Sequence, residues 1–454
     1  MSQLKNFTSD TLRIPVPLRR SDPWLVFVFF IVSMMLVGTG PFLYDAYNYF
    51  HAAESVVIGF NNLESYLSFR GMTTAFAYVP AVMLAEVFDA RYASHAVLFQ
   101  NSVVFAWVAA FLFPRLVAIW KPVTARMRLV GAVLVWLVLV GFAPYPLVDV
   151  YPAVAVISAV VLLHAKGYIP VAAAGLLAGL AVNARPAYLV CLVGLLIVAL
   201  VWRRMAGIFF ALGILLGLLP QLIVNLTYFR FWALWPIDSA SLIELQSGYA
   251  SYVVRYDTLL GQAQPRQFYC SPDMATSIGS TLPATTGDLA RTFLSELPTS
   301  AFFSLEKLGA SLHWFLDIPY GRYSGGWDFL FALMITSITV AGIAALAYRA
   351  TLRVGNETRI PSGVIAGLGV VALSTMITIV GSASESRFAL PLVLLGVAGC
   401  MTINIKSPTI MTTKNWWWVA GTILVFSCVF LFGISGLQAP APPGFVSQEL
   451  CAAL

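Results

Sequence analysis

Residues 24–50 have the sequence WLVFVFFIVSMMLVGTGPFLYDAYNYF, in which a charge-free apolar run is followed closely by an acid. The run from Trp24 to Gly38 carries no charge, and Asp45 lies just beyond it. An acid this close to a membrane-length run is costly to place unless it is used. A carboxylate can accept a proton from a hydroxyl group, while aromatic rings can hold a ring-shaped substrate. The stretch therefore predicts a membrane helix leading to a candidate site made of Asp45 and its neighbours Tyr44, Tyr47 and Tyr49.

The composition predicts an all-α polytopic membrane protein. Of the 454 residues, 59% are hydrophobic and only 10% are charged, and the mean hydropathy is +0.85. A soluble domain carries about 25% charged residues. The net charge of +6 does not indicate nucleic-acid binding, because Lys and Arg in such a chain mark the cytoplasmic loops.

Apolar segments of about 20 residues predict eleven transmembrane helices. They lie at residues 24–41, 96–117, 128–147, 150–165, 169–184, 186–202, 207–226, 326–347, 361–381, 388–404 and 416–437. With the N-terminus in the cytoplasm, every cytoplasmic loop is basic, as the positive-inside rule requires. The basic residues of these loops and their flanks are Arg115, Lys121, Arg126, Arg128, Lys166, Arg203, Arg204, Arg349, Arg353, Arg359, Lys406 and Lys414. We expect a bacterial inner (plasma) membrane protein whose C-terminus lies outside.

One further apolar stretch, from Thr73 to Ala90, does not fit this membrane topology as a transmembrane helix. If it crossed the membrane, the basic loop from Arg115 to Arg128 would face outward. The stretch also contains Pro80, Glu86 and Asp89. It is predicted to be a helix at the outer surface of the membrane, with an ordinary span as the alternative.

The charge pattern divides the chain into five parts. A cytoplasmic segment at 1–23, with Lys5, Arg13, Arg19 and Arg20, precedes a transmembrane module at 24–226 whose first outer loop covers 41–95. A large outer loop at 227–325, with a possible half-buried helix at Phe302–Phe315, precedes the C-terminal helices at 326–437. The outer tail, 438–454, is proline-rich and is predicted to be a stiff extension without chemistry.

The five cysteines separate by predicted location. Cys191, Cys400 and Cys428 fall inside spans and are predicted to be small core residues. Cys270 and Cys451 both fall outside, where a disulfide can form in an oxidising compartment. Their spacing, with only four histidines in the chain, indicates no Cys/His metal cluster.

Two acids and two arginines are candidate site residues because they lie at outer ends of predicted spans. Asp45 and Asp149 can converge on a pocket below the outer leaflet, although acids at a surface are often merely solvated or paired with Arg. Arg185 and Arg387 depart from the positive-inside trend. We predict that Arg387 binds a phosphate and that Arg185 anchors a helix end; an ion pair with Glu385 is the alternative for Arg387. For the three tyrosines beside Asp45, the alternative to sugar stacking is the interfacial aromatic belt.

The order of these features resembles the GT-C superfamily of membrane glycosyltransferases, including its protein mannosyltransferases and lipid A aminoarabinose transferases. After Asp45, an Arg-Gly pair (Arg70-Gly71) precedes the proline-bearing helix. A Gly-rich span that begins at Gly175 then ends in Arg185-Pro186. A late Glu-x-Arg-Phe motif runs from Glu385 to Pro391, one residue shorter than the family pattern before its proline. The resemblance covers residues 20–405 and indicates no particular subfamily.

The resemblance implies roles for individual residues. Asp45 matches a first-loop acid that serves as catalytic base or orients the acceptor. Asp149 matches a second-loop acid near the acceptor or, in some members, a metal, so a divalent cation (Mg²⁺ or Mn²⁺) is possible. Arg387 matches a basic residue near the donor phosphate. The chain lacks the WWD signature of the oligosaccharyltransferases, which weakens the case for a peptide acceptor and an obligatory cation.

Together these features predict an inverting glycosyltransferase that uses a polyprenyl-phosphate sugar on the periplasmic or extracytoplasmic side, with a glycan, lipid or protein as acceptor. Asp45 and Asp149 are the expected catalytic residues. The expected substrate-binding residues are Tyr44, Tyr47, Tyr49, Arg185, Glu385 and Arg387. The alternatives are a transporter or lipid flippase, disfavoured because the charges lie at helix ends rather than at mid-membrane, and a non-catalytic scaffold.

Overall fold

The computed structural model describes residues 22–60, 63–260, 266–279, 282–322, 326–351, 360–403, 413–442 and 446–454. Several predicted basic positions lie outside these described residues, namely Lys5, Arg13, Arg19, Arg20, Arg353, Arg359 and Lys406, and so does the side chain of Lys414. Most of the segment predicted at 1–23 also lies outside them.

The described chain is almost entirely helical. Its α-helices are α1 Asp22–Met35, α2 Tyr44–Val57, α3 Glu64–Phe69, α4 Met72–Phe76, α5 Val79–Phe88, α6 Ala93–Trp107, α7 Phe113–Ala118, α8 Ala125–Leu139, α9 Val150–Leu163, α10 Tyr168–Ala184, α11 Leu189–Arg203, α12 Ala206–Val224, α13 Ser239–Ala250, α14 Pro272–Ser277, α15 Thr286–Ser295, α16 Leu297–Leu312, α17 Gly326–Thr351, α18 Ser362–Val380, α19 Leu390–Cys400, α20 Thr413–Gly436 and α21 Gln448–Ala452. Two strands, β1 Val253–Thr258 and β2 Arg266–Cys270, form an antiparallel hairpin. The all-α prediction therefore describes the fold except for this hairpin.

Seven helical segments in the described chain are long and apolar enough to cross a membrane. They are Ala90–Ala118, Ala125–Phe142, Pro186–Arg203, Ala206–Phe229, Gly326–Thr351, Ser362–Val380 and Trp416–Gly436. An apolar helix of about 20 residues matches the hydrocarbon thickness of a bilayer. The protein is therefore a helical integral membrane protein, and each of the seven segments overlaps a predicted span.

The other four predicted spans coincide with shorter apolar helices. These helices are Asp22–Met35, Val150–Leu163, Tyr168–Ala184 and Ser386–Cys400. At 1.5 Å per residue, α1 and α9, with 14 residues each, are shorter than an average hydrocarbon core of about 30 Å. The number eleven therefore stays a prediction.

The helix ends form two chemically different faces, which we name the basic end and the Asp45 end. At the basic end, an Arg128 nitrogen lies 3.8 Å from an Asp22 oxygen, and the Arg349 guanidinium donates to the Thr402 carbonyl at 2.8 Å. The described basic side chains of the short connections at this end are Arg115, Lys121, Arg126, Arg128, Lys166, Arg203, Arg204 and Arg349. The Asp45 end holds α2 to α5 and the residues between α12 and α17.

The stretch predicted as a surface helix forms α4 and α5, which are separated by a break at Ala77 and Tyr78. Neither helix alone has the length of a crossing, since α4 has 5 residues and α5 has 10. The first backbone amide of α4, that of Met72, donates to the buried side chain of Gln221 at 2.8 Å. The segment therefore lies at the Asp45 end, and its place at the membrane surface stays a prediction, as does the alternative of an ordinary span.

A compact unit covers part of the Asp45 end, and we name it the hairpin unit: α13 to α16, β1, β2 and α21. The C-terminal tail belongs to it. The Cys270 amide donates to the Ala439 carbonyl at 2.9 Å, the Ala441 amide donates to the Phe268 carbonyl at 2.8 Å, and Cys270 and Cys451 form a disulfide. The prediction of a stiff extension was therefore wrong, because the tail pairs with the free edge of β2. The helix expected at Phe302–Phe315 is α16, which begins and ends a few residues earlier.

Candidate active site

Asp45 lies in the first turn of α2, where the positive end of the helix dipole favours a negative charge. The helix begins at Tyr44, whose φ of 51° is in the left-handed region. The Tyr44 hydroxyl donates to the Leu259 carbonyl at 3.2 Å. The side chain of Asp45 is 25% exposed, so one edge of the carboxylate faces the surface.

Arg70 approaches Asp45 because the next residue is glycine. A Cβ atom on Gly71 would lie 1.6 Å from the Asn183 carbonyl oxygen, so only glycine permits this contact between α4 and the end of α10. The Asn183 side chain in turn accepts a hydrogen bond from the Thr73 amide at 2.8 Å, which satisfies a free amide at the start of α4. Arg70 is thereby held 3.2 Å from one Asp45 oxygen.

Asp149 is positioned by a buried asparagine. The Asn101 amide nitrogen donates to the carbonyls of Ala143 and Tyr145, both at 3.0 Å, within the turn that precedes α9. Its oxygen accepts from the Tyr151 hydroxyl at 2.9 Å. These bonds fix the backbone on both sides of Asp149, whose side chain is almost fully buried.

Arg387 joins three carboxylates that come from distant parts of the chain. Its guanidinium lies 2.8 Å from Asp45, 3.3 Å from Asp149 and 2.9 Å from Glu385, and a second nitrogen also contacts Glu385. Arg387 is 4% exposed and lies in a short 3₁₀ turn before α19. Both the phosphate partner and the Glu385 ion pair were considered from the sequence, and the structure shows the ion pair.

Arg185 completes the group through Asp149. Its guanidinium lies 2.7 Å from an Asp149 oxygen and 4.8 Å from the centre of the Phe388 ring. We name these six residues the charge cluster: Asp45, Arg70, Asp149, Arg185, Glu385 and Arg387. Their three negative and three positive charges cancel, which limits the cost of burying them together.

The cluster separates the proton affinities of two of its carboxylates. Burial raises the pKa of Asp45, but the positive charges of Arg387 and Arg70 outweigh it, so the net pKa lies well below the usual range. Burial raises the pKa of Glu385, and the nearby Arg387 only partly offsets it. Asp45 is therefore ionised at neutral pH and accepts protons weakly while both arginines bind it.

A small cavity adjoins the cluster, with a volume of about 30 Å³. Arg185, Arg387 and Asp149 form its polar wall, Tyr188 and Phe388 form an aromatic wall, and Ser374, Thr375 and Thr378 of α18 complete it. A volume of this size holds about one water molecule and is much smaller than a sugar. Two guanidinium groups in a partly apolar recess can bind an oxyanion.

The three tyrosines beside Asp45 have different surroundings. Tyr49 is buried and accepts a hydrogen bond from Arg70 at 2.7 Å, and Tyr44 packs against Tyr320 with ring centres 6.0 Å apart. Tyr47 is 56% exposed and stacks on His51. Stacking of a sugar on these tyrosines stays a prediction. Among the three, Tyr47 has the exposed ring that such stacking requires.

Sequence reasoning missed three contributors. Arg70 appeared only within an Arg-Gly motif, although an outer arginine is a signal in itself, as it was for Arg185. The Tyr256 amide donates to the Ser384 carbonyl at 3.0 Å, and its hydroxyl lies beside Glu385, but nothing in a two-stranded hairpin predicts this. Tyr320 contacts the backbone around Asp45 from a loop far along the chain.

A divalent cation does not fit this donor set. Each of the three carboxylates already contacts at least one arginine, and further positive charge would repel the guanidinium groups. Across the described residues, no group of three or more His, Cys, Asp or Glu side chains is arranged to hold a metal ion.

Comparison with known proteins gives no relative. No protein-family model, curated protein or solved structure matches this chain. The GT-C resemblance therefore stays a prediction from the sequence.

Proposed function

We propose that the protein is a GT-C-type membrane glycosyltransferase with eleven spans, which transfers a sugar from a polyprenyl-phosphate donor to a glycan, lipid or protein acceptor outside the cytoplasm. The observation that carries the proposal is the convergence of Asp45, Asp149 and Glu385 on Arg387, beside a cavity at the helix ends. Buried ionisable groups in a membrane protein are rare without a function. An arginine and acid pair beside an oxyanion recess suits phosphate-linked sugar chemistry.

Two features support an outward orientation of the Asp45 end. The described short connections at the opposite end are basic, as cytoplasmic loops are. The disulfide between Cys270 and Cys451 belongs to the Asp45 end, and disulfides persist in oxidising compartments. An outward site also requires a donor that is carried by a membrane lipid, because nucleotide sugars are made in the cytoplasm.

The cavity supports a lipid-borne donor. It lies beside α18, whose Leu373 and Ile377 are exposed, as expected for side chains that contact lipid. A polyprenyl chain can pack against such a face while its phosphate enters the recess. In this proposal Arg185 binds the phosphate first, because Arg387 already contacts three carboxylates. The sequence predicts phosphate binding for Arg387 and helix anchoring for Arg185, whereas in this proposal Arg185 makes the first contact with the phosphate.

The reaction follows from a competition for the arginines. The incoming phosphate takes contacts from Arg185 and Arg387, which weakens the hold on Asp45 and raises its proton affinity. Asp45 then accepts the proton of the acceptor hydroxyl while that oxygen bonds to the anomeric carbon. The bond from this carbon to the phosphate oxygen breaks with inversion, and the anionic polyprenyl phosphate leaves, stabilised by the arginines. The cavity is smaller than a sugar but open to the outside, so the phosphate enters it while the sugar stays at its mouth.

The test is sugar transfer by the wild-type protein in sealed proteoliposomes. Undecaprenyl-phosphate hexoses and pentoses, radiolabelled in the sugar, are supplied with cell-envelope glycan, lipid and protein fractions. The proposal predicts that label leaves one donor and enters one fraction by a covalent bond. Movement of intact donor between leaflets would indicate the flippase, and donors left unchanged in place would contradict both functions.

A further inference from the structure

The loop between α16 and α17 pairs with the end of β1. The Leu260 amide donates to the Gly321 carbonyl at 3.1 Å, and the Gly321 amide donates to the Thr258 carbonyl at 2.8 Å. Tyr320 precedes Gly321 and is 1% exposed. Its ring packs edge-on against Tyr145, with ring centres 4.8 Å apart. The hairpin unit thus holds the Tyr320 side chain in one place.

The Tyr320 hydroxyl binds the backbone on both sides of Asp45. It donates to the Leu43 carbonyl at 3.1 Å and accepts from the Ala46 amide at 3.1 Å. Tyr44, between Leu43 and Asp45, has the left-handed φ noted above, a conformation that a residue with a side chain rarely adopts. Unusual backbone of this kind persists only where the surrounding structure fixes it. Together with the backbone bonds from the Ala46 and Tyr47 amides to the Leu43 carbonyl, this phenol therefore supports the turn that carries the candidate base.

We propose that Tyr320 is a positioning residue, which keeps the Asp45 carboxylate at the acceptor hydroxyl once the donor phosphate has drawn the arginines away. The proposal rests on the proposed function. Arg70 and Arg387 orient the Asp45 side chain in this structure, but a bound phosphate competes for Arg387. The hydrogen bonds from Tyr320 go to the backbone and do not involve this competition.

The test compares Tyr320→Phe with Tyr145→Phe. Both changes remove one hydroxyl from rings that touch each other, but only the first removes bonds to the turn around Asp45. For Tyr320→Phe we expect kcat for sugar transfer to fall about tenfold, with KM for the donor within about twofold, because small misplacement of a reacting group is costly. For Tyr145→Phe we expect wild-type kcat.

Hydrogen–deuterium exchange of the peptide that covers residues 43–50 gives a readout independent of activity. We expect faster exchange of this peptide in Tyr320→Phe and not in Tyr145→Phe. Wild-type exchange and kcat in Tyr320→Phe would overturn the proposal, as would an equal loss in both variants. If the wild-type protein shows no sugar transfer and Tyr320→Phe still exchanges faster at residues 43–50, the backbone contact stands, but the proposed function and the positioning role of Tyr320 in it are refuted.

Discussion

Arg387 is the residue on which the candidate site depends. It is buried with three carboxylates, and its removal would leave Glu385 without an arginine, while Asp45 would keep Arg70 and Asp149 would keep Arg185. Breaking a buried ion pair by removing one partner typically costs about 3–5 kcal/mol. Loss of activity on substitution of Arg387 would therefore reflect unfolding as much as chemistry. Less buried members of the cluster are better tests of function.

Arg185 is such a test, because it lines the cavity and is 16% exposed. In the proposed mechanism it binds the donor phosphate, so Arg185→Gln should raise KM for the donor about tenfold, the effect of losing one charged hydrogen bond. The measurement is the donor dependence of transfer in proteoliposomes. Arg91→Gln is the matched control, because Arg91 is also an arginine of the Asp45 end but pairs with Asp89 at the exposed surface. Equal KM values in both variants would exclude Arg185 from donor binding.

At the residue scale, the sequence predicted which charged residues belong to the site better than it predicted which residues they contact. The cost of acids beside apolar runs predicts Asp45 and Asp149, and the positive-inside rule singles out Arg185 and Arg387. Glu385 is expected from its closeness in sequence to Arg387, and the structure brings all five together. Their mutual distances depend on how α9, α10 and α19 pack, which no local pattern contains. The uncharged hydroxyl groups of Tyr256 and Tyr320 gave no signal for the same reason.

At the element scale, glycines determine how closely α10 and α12 pack. A Cβ on Gly175 would lie 2.0 Å from the Phe210 carbonyl oxygen, and one on Gly213 would lie 2.0 Å from the Ala172 carbonyl oxygen. Small residues spaced by four let transmembrane helices approach closely. The pair α10 and α12 then presents Asn183 and Gln221 to the start of α4. The glycines of α10 and Gly71 of the Arg-Gly pair therefore serve one arrangement: α10 packs closely on α12, and α4 packs closely on the end of α10.

Gly71→Ala tests whether the docking of α4 positions Arg70. The added methyl group would overlap the backbone of Asn183, so α4 must move and take Arg70 away from Asp45. We expect a lower thermal unfolding midpoint and at least a tenfold loss of transfer, as strain in a packed site typically costs about 1–3 kcal/mol. The matched control is Gly40→Ala, where no atom lies within 4 Å of the added Cβ. Wild-type behaviour of Gly71→Ala would show that this contact does not organise the site.

The positions of long helices were well predicted at this scale, and breaks were predicted less well. Hydropathy located the segments that form the seven long apolar helices because lipid requires continuous apolar sequence. The start of α4, for example, depends on a hydrogen bond from the Met72 amide to Gln221 of α12. Those partners are far apart in sequence.

At the scale of the whole molecule, the hairpin unit joins the C-terminal tail to the candidate site. Cys451 is bonded to Cys270 on β2, β2 pairs with β1, and Tyr256 of β1 contacts Glu385. Two strands alone are marginally stable, so the hydrogen bonds of the tail to β2 and the disulfide support this unit. The sequence allowed the disulfide but gave no reason for the tail to fold back, because edge pairing of a short segment leaves no distinctive pattern.

The double variant Cys270→Ser with Cys451→Ser should weaken this unit. Loss of a native disulfide typically costs about 2–5 kcal/mol, so we expect a lower thermal unfolding midpoint. Cys428→Ser is the control, since Cys428 is a free thiol on α20. Orientation is tested at an exposed residue of the same end: a membrane-impermeant maleimide added to intact cells should label the variant Arg91→Cys. Labelling only after lysis would place the Asp45 end in the cytoplasm.

The central claim is that Asp45 carries out the chemistry of the charge cluster, and Asp45→Asn tests it most directly. This change keeps the size of the side chain and removes its negative charge, and the residue is partly exposed, so the fold should persist. Asp89→Asn is the matched control, because Asp89 is an exposed acid of the same face that also pairs with an arginine. In the proteoliposome assay we expect transfer by Asp45→Asn to fall at least about a hundredfold, as for loss of a general base, with Asp89→Asn at wild-type rate. Wild-type transfer by folded Asp45→Asn would contradict the account.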